Sequence, residues 1–104
     1  MKKTHDFFED STRYDADNIL LAQGYCQVDT EQDFSGYGNW IHLDKKKAVT
    51  FAEGDLYQIE FEDDSEVKTW LDGLIDLKHI DCGITNRDHN LAQAEALGIA
   101  QYAA

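Results

Sequence analysis

Residues 56–77, LYQIEFEDDSEVKTWLDGLIDL, decide the fold. Up to Glu62 the chain alternates: Tyr57, Ile59 and Phe61 on one side, Gln58, Glu60 and Glu62 on the other. A period of two is that of an antiparallel strand with one face on a core and one in water. From Asp64 the spacing changes. Val67, Trp70, Leu71, Leu74 and Ile75 fall at i, i+3, i+4, i+7 and i+8, an apolar stripe for covering a sheet. Asp63 with Glu66 three residues later resembles a capping box, so a helix is expected over 64–78.

Upstream, residues 39–43 (NWIHL) and 48–52 (AVTFA) read as a hairpin with Asp44-Lys45-Lys46-Lys47 at its tip. Residues 24–29 (GYCQVD) alternate weakly and add a strand. Between them, Asp29, Glu31 and Asp33 suggest a calcium loop, but Phe34 stands where that loop needs glycine and Trp40 where it needs glutamate. The segment reads as a surface connection, in which Gly36 and Gly38 imply positive φ or a close backbone approach. Residues 4–23 read as mostly helical, capped by Ser11 or Asp15 and stopped before Gly24. Residues 79–87 read as a loop or short strand. A last helix is expected from Asp88 to Tyr102, with Gly98 weakening it by about 1 kcal/mol relative to alanine; it is a candidate partner-facing or dimer element.

The expected fold is therefore α+β. An antiparallel meander of three or four strands carries helices on one face, in the order α-β-β-β-β-α-α. The 104 residues suit one domain, 1–104, with no proline and no linker.

Charge is the strongest global signal: 21 acids against 9 bases, a net −12. Direct nucleic-acid binding and binding to anionic membranes are disfavoured, because both need Lys and Arg. A basic protein surface would be attracted. Two cysteines, Cys26 and Cys82, suggest no disulfide framework, which fits a reducing cytoplasm (the host's, if the chain is phage-encoded). MKKTHDFFED has no apolar run after its lysines and does not read as a signal peptide.

Catalytic patterns are missing. Ser11, Ser35 and Ser65 lie in no nucleophile motif, and Gly36-Tyr-Gly38 lacks the rest of a phosphate loop. His79, Asp81, Cys82 and His89 are of zinc-ligand type, but His-x2-Cys-x6-His matches no common finger. No enzymatic activity and no cofactor or metal are expected.

The acids remain. From Ala48 to Asp76 there are nine acids and one base, Lys68. Asp63, Asp64 and Glu66 suit a helix N-terminus. Glu60, Glu62, Asp72 and Asp76 get no such local help, and Asp72 and Asp76 repel each other at i, i+4. Alternate strand residues project ~6.6 Å apart, and helical i, i+4 neighbours ~5–6 Å. Such rows imitate part of a duplex backbone, which carries one charge per ~1.7 Å.

The expected function is a non-enzymatic acidic binding module that mimics nucleic-acid charge and blocks a basic nucleic-acid-binding protein. Small phage or plasmid proteins of anti-CRISPR or anti-restriction type work this way; the likeness is of class, and no motif carries it. The expected contacts are Glu60, Glu62, Asp63, Asp64, Asp72 and Asp76, with Tyr37 and Tyr57 as aromatic anchors. The alternatives are a regulatory or antitoxin-like subunit, which would bind through apolar helices, and a small zinc protein built on His79, Cys82 and His89; a homodimer is a separate partner candidate.

Overall fold

The computed structural model describes residues 2–5, 15–30, 37–52, 55–74, 77–81 and 87–99. In chain order the elements are β1 (Lys2–His5), α1 (Ala16–Ala22), β2 (Cys26–Thr30), β3 (Tyr37–His42), β4 (Lys47–Ala52), β5 (Asp55–Glu60), α2 (Asp64–Asp72), β6 (Leu77–Asp81) and α3 (Arg87–Leu97). All six strands join one antiparallel sheet in the order β1-β5-β4-β3-β2-β6.

The α+β class and the meander β2-β3-β4-β5 are as expected. The sheet is larger, because a strand is added at each edge. Lys2–His5 is not the approach to a helix: it pairs with β5, Lys3 opposite Ile59 and Thr4 opposite Gln58. Leu77–Asp81 pairs with β2, Val28 opposite Ile80. Neither segment shows a clean apolar alternation; pairing with a neighbour makes them strands.

Helices cover both faces, not one. On the first, Val67 and Leu71 of α2 and Ala94 of α3 pack with Cys26, Val28, Ile41, Ala48 and Ile59. On the second, Leu20 and Ala16 of α1 pack with Trp40, Val49 and Leu56. The face of β5 expected in water is therefore covered around Leu56 and Gln58, and Gln58 is only 5% exposed. Consecutive apolar residues, Trp40-Ile41 and Ala48-Val49, serve one face each.

Both outer helices stop on glycine. At α1 the Gly24 N–H bonds the Leu21 carbonyl and the Tyr25 N–H the Leu20 carbonyl, with Gly24 at φ +94°. This is a Schellman stop, where a left-handed residue is cheapest as glycine. The same pattern ends α3: Gly98 lies at φ +76°, and the Ile99 N–H bonds the Ala94 carbonyl at 2.9 Å. Gly98 thus terminates the helix expected to continue to Tyr102, and Ile99 turns back into the core. α2 ends at Gly73, short of residue 78.

Cys26 is disulfide-bonded, which corrects the expectation of unbridged cysteines. Cys82, the other cysteine of the sequence, lies outside the described residues. It directly follows Asp81, which stands opposite Gln27 in the β2–β6 pair. Cysteine usage therefore gives no argument for a reducing compartment. Among the described residues no helix is long and apolar enough to cross a membrane.

Candidate functional site

The β5–α2 junction is built as a fixed corner. Asp63 is the N-cap of α2: its Oδ1 accepts from the Glu66 N–H at 3.0 Å and from the Ser65 hydroxyl at 2.7 Å. Glu66 Oε1 reaches back to accept from the Glu62 N–H at 2.8 Å. The expected capping pair is present, with the return bond falling on Glu62. These donors, the Ser65 hydroxyl first and the Glu66 amide next, hold the Asp63 carboxyl below its ordinary range. The Phe61 N–H bonds the Lys46 carbonyl at 2.9 Å, which ties the corner to the β3–β4 turn.

The predicted contact residues then separate. Glu62, Asp63, Asp64 and Asp72 are exposed. Asp64 pairs with Lys46, Nζ to Oδ1 3.3 Å, across an exposed surface. Glu60 is half-buried and accepts from Gln58 Nε2 at 3.0 Å. The register sets it between Lys2 of β1 and Lys47 of β4, where opposite charges are favoured. The sequence offers Glu60 no local compensation, but in the sheet it has a lysine in register on each side. The strand also ends at Glu60, so Glu60 and Glu62 do not form one projecting row.

Asp72 is the reverse case. It lies about 12 Å along the axis from Asp64 at 1.5 Å per residue, in a last turn that holds no basic residue. Negative charge there opposes the helix dipole. Asp76 and the side chain of Tyr37 lie outside the described residues. Tyr57 is half-buried, with Lys3 Nζ 4.3 Å from its ring centroid, so it forms a cation–π pair within the chain.

The zinc alternative divides too. His89 Nε2 lies 2.6 Å from Asp44 Oδ2, while Cys82 and the His79 side chain are outside the described residues. Among the described residues no three His, Cys, Asp or Glu side chains are grouped to hold a metal.

Two cavities were not anticipated. One, of about 370 Å³, runs along α2 past Ser65, Glu66, Thr69, Trp70, Gly73 and Leu74. The other, of about 130 Å³, is bounded by Gly24, His42, Asp44, His89 and Asn90. The sequence carried a partial signal for each: Trp70 at the margin of the helical stripe, and His42 two residues from Trp40 on the same face of β3. No protein-family model, curated protein or solved structure matches the chain. Any functional reading therefore rests on the geometry alone.

Proposed function

We propose that the chain is a non-enzymatic acidic module that docks on a basic protein surface, that of a nucleic-acid-binding protein. The observation that supports it best is the exposed group Glu62, Asp63 and Asp64, in which capping bonds fix the Asp63 carboxylate and the Glu62 backbone and Lys46 holds Asp64. Asp72 extends it along α2 against the helix dipole. Carboxylates fixed in advance lose less conformational freedom on binding, and a net charge of −12 steers a basic partner from a distance. Glu60 leaves the contact set because it is half-buried, bonded by Gln58 and flanked by a lysine on each side. A nucleic-acid-like inhibitor of anti-CRISPR or anti-restriction type is one form of this module.

The test is the triple variant Glu62→Lys, Asp64→Lys and Asp72→Lys, which spares the cap at Asp63 and so the helix. Capture of partners from host lysate should be lost in the variant and, for the wild type, should weaken steeply as salt rises. Capture that is indifferent to both changes sinks the proposal. It would favour the second reading, a regulatory subunit that binds through apolar surface, whose support is the groove beside the half-buried Trp70 and Leu74.

A further inference from the structure

The small cavity at the other side of the β3–β4 turn does not belong to the acidic corner. Its walls come from the end of α1 (Gly24), the end of β3 (His42), the turn (Asp44) and the first turn of α3 (His89, Asn90). Asn90 is 5% exposed, yet among the described residues its carboxamide has no hydrogen-bond partner. Buried carboxamides are almost always bonded, so a group offering partners to both its oxygen and its nitrogen belongs in this cavity.

The other walls define that group. His89 occupies Asp44 Oδ2 at 2.6 Å, and an ionised carboxylate has further acceptor sites beyond that bond. His42 is committed elsewhere: its Nδ1 accepts from the Lys45 N–H at 3.2 Å, and it makes a further hydrogen bond with the Gln23 backbone. Burial first, and Lys45 next, hold His42 below its ordinary pKa, so it adds no positive charge here at neutral pH. Of the side chains that line the cavity, Asp44 is the carboxylate, and Lys45 follows it in the same turn. The chain as a whole is strongly anionic. About 130 Å³ is more room than one water needs.

We propose that this cavity binds a guanidinium head group. Asp44 and the Asn90 carbonyl oxygen accept from its fork of N–H donors, and the His42 ring supplies a flat neighbour for its plane. An ammonium has the charge but lacks the planar fork, and an anion would face Asp44. The source is either an arginine side chain of a partner protein or a free small guanidine. The site is separate from Glu62, Asp64 and Asp72, so it stands or falls apart from the acidic-corner reading.

The test follows the Asn90 side-chain NH2 signal in nitrogen-15 NMR spectra of the intact chain. Methylguanidinium is titrated at constant ionic strength, with methylammonium as the control. Saturable shifts with methylguanidinium alone are expected. Asp44→Asn should weaken binding by roughly tenfold or more, as loss of a charge-assisted hydrogen bond does. The Glu62, Asp64 and Asp72 triple variant should bind as the wild type does. Asn90→Ala should abolish binding; if that variant does not fold, the wild-type Asn90 signal and Asp44→Asn decide the matter. Tighter binding by a short arginine peptide assigns the site to a partner's side chain, and equal affinity assigns it to a free guanidine. Equal shifts with methylammonium, no saturation, or indifference to Asp44→Asn overturns the proposal and leaves ordered water as the occupant.

Discussion

The contact between Gly38 and Trp40 gives a prediction that separates packing from backbone effects. Gly38 does not have a left-handed backbone, so alanine meets no conformational penalty there. In a strand alanine would instead be favoured by roughly 0.5–1 kcal/mol. The obstacle is the Trp40 ring. A Cβ on Gly38 would sit 2.7 Å from Cη2, 3.1 Å from Cζ3 and 3.4 Å from Cζ2. The ring cannot swing clear, because it is buried beneath α1 and its Nε1 donates to Asp17 Oδ1 at 3.1 Å. Overpacking of this kind costs about 1–3 kcal/mol. The two atoms that clash, Cη2 and Cζ3, belong to the six-membered ring of the indole, the part that phenylalanine does not carry so far. In a Trp40→Phe background, Gly38→Ala should therefore cost little. The coupling in this double-mutant cycle should be about 1 kcal/mol or more. Urea denaturation followed by far-UV circular dichroism measures it. Equal destabilisation by Gly38→Ala in both backgrounds would falsify the steric account.

The remaining predictions concern α3 and β3. Gly98→Ala meets nothing within 4 Å but keeps φ +76°, so it should cost about 1–2 kcal/mol through the left-handed backbone alone, read as a fall in Tm that Gly98→Asn largely avoids. His42, with its pKa lowered from 6.5 by burial, binds fewer protons folded than unfolded. Its stabilising contribution is complete above pH 6.5 and is lost as pH falls toward the lower folded value. Denaturation midpoints taken across that window should drop for the wild type and stay flatter for His42→Gln.

How much of this was legible in the sequence follows from how local each signal was. The β5–α2 boundary, the Asp63–Glu66 cap and the stop at Gly24 depend on residues within one turn of each other, and all were readable. Lys2–His5 was not, because KKTH is a strand only by virtue of lying beside β5. Gly98 is ambiguous in the sequence because a glycine inside a helix and one that ends it look alike until the Ile99 side chain finds the core. The acidic surface was visible as charge, but its compensation was not. Lys2 and Lys47 meet Glu60 only through sheet register, which joins residues far apart in the chain. The Asn90 cavity was hidden for the same reason, since α1, β3 and α3 each supply part of its wall.

The two outer strands carry a consequence for how the sheet comes together. β3, β4 and β5 are neighbours in sequence, so their hairpins close short loops. β1 pairs with β5, and β6 with β2, across roughly half of the chain. Long loops cost more entropy to close and slow folding. During synthesis β1 precedes β5 and has no strand to pair with until β5 follows. Lys2 therefore reaches Glu60 only when that long loop closes, whereas the cap of Asp63 and Glu66 forms from residues adjacent in the chain.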